Sequence, residues 1–89
     1  MSGIPFEVEA VVVGSGIVLA RRLTECSFAL GEEPKLGGVA IERVLSMPRA
    51  LDANGKPRLD LFAFRPVAAT DLAQFKVGEV LELEGANAG

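Results

Sequence analysis

Val11-Val12-Val13-Gly14-Ser15-Gly16-Ile17-Val18-Leu19-Ala20-Arg21-Arg22 is the stretch whose reading decides the fold. One reading makes it a strand, a Gly-x-Gly turn and a helix. The other makes it a hairpin of two strands joined by a glycine-rich turn. Ile17-Val18 is β-branched and favours a strand over a helix start. Gly14-Ser15-Gly16 supplies the positive φ that a tight hairpin turn needs. A helix over 16–25 would be amphipathic only with Arg21 and Arg22 both in water, so periodicity alone leaves both readings open.

The helical reading is the dinucleotide-binding fingerprint, with Glu32 or Glu33 near the place of a ribose-binding acid. Leu19 stands where the fingerprint's third glycine lets helix and strand approach. Phe28-Ala29-Leu30 is a poor second strand, and a complete dinucleotide domain needs more chain. The hairpin is therefore the preferred reading. A Gly-x-Gly fragment or small redox protein is the alternative.

Outward from the hairpin, the pattern is one of short strands. Phe6, Val8, Ala10 and Val12 are expected on one face of the first strand, with Glu7 and Glu9 on the other. Phe28 to Glu33 reads as a short extended piece ended by a turn, and Lys35-Leu36 as a further short strand before the Gly37-Gly38 break. Val39, Ile41, Leu45 and Met47 are expected to share a face, with Arg43 the exception, up to Pro48. Asn54-Gly55 is a strong turn signal. Arg58 to Arg65 is expected to be a strand apolar on both faces, with Leu59, Leu61 and Ala63 on one and Phe62 and Phe64 on the other. Thr70 to Phe75 predicts a short helix with Thr70 or Asp71 as its cap. Val80 to Glu84 closes the series. The expected fold is all-β: a small, mainly antiparallel barrel of about six strands with one short helical turn. Residues 1–5 are a lead, 6–84 the single domain and 85–89 a flexible tail.

Composition limits the chemistry. The chain has 89 residues, 49% hydrophobic and 24% charged, with a net charge of −3. That is an ordinary globular balance with no bulk attraction for nucleic acid or acidic lipid. Histidine is absent, which removes the commonest general base and metal ligand. Tyrosine and tryptophan are absent too. The five phenylalanines are expected mostly in the core. The single cysteine, Cys26, permits no intrachain disulfide; it reads as a small apolar residue and fits a reducing cytoplasm. No apolar run approaches the about 18 residues of a membrane span, and no signal peptide is visible. Neither cofactor nor metal is expected.

The charge is uneven. Residues 39–66 carry five basic residues against three acids, and the rest of the chain four against nine. Arg43, Arg49, Arg58 and Arg65 form the candidate binding sector. Arg43 and Arg65 each interrupt an apolar face, which favours heads that reach water or a partner. Paired acids such as Glu7/Glu9 and Glu82/Glu84 read as outer-face solubility and edge protection.

Phe6-x-Val8-x-x-Val11, Gly14-x-Gly16-Ile17-Val18-Leu19, Arg22, Leu30-Gly31-Glu32-Glu33 and, near the end, Phe75-x-Val77-Gly78-x-Val80-Leu81 follow one another in an order that resembles the second-domain barrel of the translational GTPases, the elongation factor Tu type. The resemblance spans Phe6 to about Glu84. It implies a non-catalytic module that contacts protein or RNA. The departures are specific. Arg21 and Cys26 replace family glycines, and the first hairpin is shorter. Ser46-Met47-Pro48-Arg49 stands where aminoacyl-tRNA-binding members carry glutamate, methionine, any residue, arginine. No Gly-x-x-x-x-Gly-Lys-Ser/Thr is present, so no nucleotide hydrolysis is implied. The resemblance adds Ser46 and Met47 to the candidate site. A protein partner or self-association is expected, since strands apolar on both faces leave surface for another chain. RNA binding is expected to be weak, and DNA and membrane partners are not expected.

Overall fold

The computed structural model describes residues 3–25, 27–47 and 51–88. Its strands are β1 (Ile4–Val12), β2 (Ile17–Arg22), β3 (Phe28–Leu36), β4 (Val39–Ser46), β5 (Leu61–Pro66) and β6 (Val80–Ala88). They close into a six-stranded barrel in the order β1-β2-β5-β4-β3-β6, and every neighbouring pair is antiparallel. The expected all-β barrel is the observed fold. Two 3-10 turns, Val13–Ser15 and Ala69–Gln74, complete the regular structure among the described residues. No helix among these residues is long and apolar enough to cross a membrane.

The deciding stretch is a hairpin. Val12 pairs with Ile17 across the 3-10 turn, and Gly16 closes it at φ 69° with its N–H donating to the Val13 carbonyl. Strand β2 follows Gly16 directly, so the helix N-terminus that a dinucleotide fingerprint uses to hold phosphate is not formed here. The β3–β4 connection is tighter still. Gly37 and Gly38, at φ 60° and 85°, make a two-residue loop with both residues in the left-handed region.

Two bulges set which side chains face the core. Between Val8 and Ala10 the register of β1 slips against β2, so the interior series runs Phe6, Val8, Val11. Between Ile41 and Arg43 the register of β4 slips against β5, so Val39 and Ile41 are followed inward by Val44. An extra residue reverses the alternation downstream of it. Ala10, Val12, Leu45 and Met47, expected on the inner series, take the opposite parity. Arg43 is no exception on an apolar face; it lies beyond a bulge.

The core is built around Phe6, which meets Phe28, Phe62 and Phe64 edge to face at centroid separations of 5.7, 5.9 and 5.0 Å. Such geometry adds to area burial. Val18, Ala20, Leu36, Val39, Ile41 and Leu83 surround it, and the segment between β5 and β6 contributes Leu72 and Phe75.

Other boundaries shift. β3 is one nine-residue strand, irregular between Leu30 and Lys35 where it crosses Gly85 of β6. A Cβ on Gly85 would lie 2.9 Å from Pro34 Cα and 3.0 Å from the Glu33 carbonyl, so this crossing requires glycine. β6 runs through Ala88, which brings the expected tail into pairing with β3, and β1 begins at Ile4 within the expected lead. β5 starts at Leu61, and Leu59 is 74% exposed ahead of it. The Ala69–Gln74 turn is capped by Ala68, without a side-chain hydrogen bond, in place of Thr70 or Asp71. Asn54-Gly55 does turn the chain: Asp52 Oδ1 accepts from the Asn54 and Lys56 amides at 2.8 and 3.0 Å.

The seams of the barrel are unequal. β1 and β2 pair over six positions, whereas β3 and β4 pair at two, Lys35↔Ala40 and Leu36↔Val39.

Candidate functional site

The predicted basic sector divides in two. Arg58 is half-buried and fully engaged: its Nη1 and Nη2 donate to Glu9 Oε1 and Oε2 at 2.9 and 2.7 Å, and its Nε to Asp60 Oδ1 at 3.3 Å. Arg21 joins the same network through Glu7 and, at 3.5 Å, Glu9. The Arg58 guanidinium, by direct hydrogen bonding, holds the Glu9 carboxyl below its ordinary value, and Glu9 in turn raises the Arg58 pKa. This arginine is a strut, its charge already neutralised.

Arg43 and Arg65 stand differently. They are directly opposite across the β4–β5 ladder, and both are exposed. Opposed residues on one face of an antiparallel pair have Cβ atoms roughly 4.5–5.5 Å apart, so two like charges there repel. Arg65 Nη2 reaches the Ser15 carbonyl at 3.5 Å, the limit of a hydrogen bond. Arg43 makes no ion pair or hydrogen bond with a described residue.

The surface beside them is apolar. Leu19, Ala63 and Leu45 lie in register across β2, β5 and β4, and Leu61 follows two residues from Ala63 on the same outer face. Leu61 and Ala63 are buried yet take no part in the interior cluster around Phe6. Leu45 is 55% exposed. The outer face of β2-β5-β4 thus carries an apolar row beside the two arginines in which Leu45 is exposed, Leu19 is half-buried, and Ala63 and Leu61 are covered by their neighbours. Met47 adjoins it, its amide donating to the Leu61 carbonyl at 3.0 Å. Ser46 pairs with Phe62 on the opposite parity and is exposed at the strand end. Arg49 lies outside the described residues, as does Cys26.

Sequence reasoning read Arg22 only as part of a motif, not as a site residue. It pairs with Phe6, which places it on the interior side of the barrel end, and its guanidinium carbon lies 5.4 Å from the Phe62 ring centroid. The pairing depends on a long-range register, so no local pattern signals it. Arg22 also lines an open cavity of about 480 Å³ with Glu25, Asp52, Arg58 and Asp60. Among the described residues, no cluster of His, Cys, Asp or Glu could hold a metal ion.

No protein-family model matches this chain, and no curated protein or solved structure is significantly similar to it.

Proposed function

We propose that this barrel is a non-catalytic binding module, of the kind found as the second domain of translational GTPases, and that it docks an acidic, partly apolar segment of a protein partner on the outer face of β2-β5-β4. The observation that carries this reading is the Arg43–Arg65 pair beside the Leu19–Ala63–Leu45 row. Two opposed cations without a carboxylate destabilise the free barrel slightly. A partner carboxylate between them removes that repulsion and gains charge-assisted hydrogen bonds. The Gly14-Ser15-Gly16 hairpin inside a closed six-stranded barrel supports the kinship to the translation-factor type. RNA is the weaker partner in this reading, because Arg58 is taken up by Glu9 and Asp60 and few cations remain for phosphates.

The test titrates the isotope-labelled protein with a peptide alternating glutamate and leucine, its glutamine counterpart, and oligouridylate. Saturable shifts at Leu19, Arg43, Leu45, Ala63 and Arg65 with the acidic peptide, reduced about tenfold by Arg43→Gln, are expected. Tighter binding of oligouridylate at the same face would favour RNA. A dimer in light scattering that Leu45→Lys dissolves would make a second copy the occupant.

A further inference from the structure

β4 has one side that the barrel leaves unused. Val39 and Ala40 pair with β3, and beyond them β4 pairs with β5 alone. The Met47 amide donates to the Leu61 carbonyl. Hydrogen-bonded pairs alternate along an antiparallel ladder, so Arg43 and Leu45 bond to β5 as Met47 does, and the N–H and C=O groups of Val44 and Ser46 point the other way, towards β3. They meet no backbone partner among the described residues. Two features of β3 keep it from reaching them. Continuing the Leu36↔Val39 and Lys35↔Ala40 register would set Pro34 opposite Ile41, and proline has no N–H to give. Glu33, the next position outward, stands at φ 49°, in the left-handed region, where β3 is irregular against β6 as well.

We propose that an extended segment of a partner protein, with acidic and apolar residues in alternation, adds to this edge of β4 as a further, antiparallel strand. This rests on the docking reading of the outer face and adds the way the segment is held. Val44 and Ser46 offer two backbone donors and two acceptors that no strand of the free barrel uses, and a strand laid beside them pairs with all four. Antiparallel pairing is the more stable per residue. The alternation follows from the side chains, because residues side by side in neighbouring strands point to the same face. On the outer face Arg43 is exposed, has no carboxylate among the described residues, and stands opposite Arg65 on its other side. The residue added beside it is therefore acidic. On the inner face Val44 is half-buried and packs against the core cluster, so the residue added beside it is apolar. The bulge between Ile41 and Arg43 ends the regular edge, so the added strand is short.

The probe is the glutamate–leucine peptide that tests the outer face, made in two further forms, one N-methylated at its leucines and one at its glutamates. In an antiparallel addition the leucines lie opposite Val44 and Ser46 and carry the bonding N–H groups, while the glutamate N–H groups face solvent. The leucine-methylated peptide should therefore bind at least about tenfold more weakly than the glutamate-methylated one. Saturation with the unmodified peptide should slow amide exchange at Val44 and Ser46 by at least about tenfold, and leave Arg43 and Leu45, already bonded to β5, little changed. Ser46→Pro removes one edge N–H without touching the β5 ladder and should weaken the unmodified peptide several-fold. If that variant does not fold, the two methylated peptides on the native chain decide the matter. Equal binding of the two methylated forms, or unchanged exchange at Val44 and Ser46 under saturation, overturns the strand addition and leaves the outer-face docking to its own Arg43→Gln test. Failure of the unmodified peptide to bind overturns both.

Discussion

Arg58 grips Glu9 with both ends of its guanidinium, at 2.7 and 2.9 Å, across 49 residues of sequence. The bidentate pair ties the segment before β5 to the bulge of β1, where the strand's register slips. A bulge disrupts its ladder locally, and the arginine braces the strand at that place.

The pair sets a pH dependence. Glu9 titrates below its ordinary value of 4.5 in the folded chain because Arg58 hydrogen-bonds its charged form. Its contribution is therefore fully present above pH 4.5 and is lost as pH falls through the lowered folded value. The stability gap between the native chain and Glu9→Gln should be largest near neutrality and shrink below pH 4. Urea unfolding at several pH values measures it. A gap that stays constant into acid would show that the carboxylate's charge contributes nothing.

Phe6 anchors the aromatic cluster, with three ring partners and no exposure. Phe6→Ala should cost about 3–5 kcal/mol. Small domains hold only about 5–15 kcal/mol in total, so this variant should unfold at much lower urea or be unfolded outright. A loss under about 1 kcal/mol would mean that the cluster repacks readily.

Glycines in this chain are not equivalent. Gly85 has φ 77° and backbone atoms within 3 Å of where a Cβ would stand. Gly85→Ala should destabilise by about 1–3 kcal/mol. At Gly14 φ is not positive and nothing lies within 4 Å, so Gly14→Ala should stay within about 0.5 kcal/mol of the native chain. Thermal melts of both variants test the contrast, and equal effects would refute it.

Arg65→Glu should have opposite effects on stability and on binding. Placing an acid opposite Arg43 replaces repulsion with attraction, a gain of about 0.2–1 kcal/mol that shrinks with added salt. The same change removes half of the proposed carboxylate clamp and should weaken the acidic peptide. A variant that is less stable at low salt would contradict the cross-strand argument.

The barrel was legible because its strands are punctuated by glycine and proline and rich in β-branched residues. The inner face was only half legible. Ala10 and Val12 are as apolar as Val11, and Leu45 and Met47 as Val44, so nothing in composition marks where parity reverses. Arg43 was the clue: a cation on an apparently apolar series signals a slip in the series. Arg43 and Arg65 could be nominated from sequence, but their opposition could not, since it follows from that slip. Arg58 looked like a binding residue because its partner Glu9 is remote in the chain, and Arg22 read only as part of a motif, not as a site residue, because Phe6 and Phe62 are remote as well.

A ring closed by unequal joints has one place where it comes apart. β3 and β4 meet only beside their glycine loop, so beyond Lys35 and Ala40 each leaves backbone donors and acceptors outside any ladder with the other. Opening that joint separates two strands that the chain still links through Gly37-Gly38, and the barrel becomes a curved open sheet with two new rims. Amide hydrogens at Lys35, Leu36 and the start of β4 should therefore exchange with solvent before those of the β1–β2 ladder. The rims so exposed would accept any extended chain of matching register, including the same two strands from another copy, and the route to domain exchange in this molecule runs through its shortest joint.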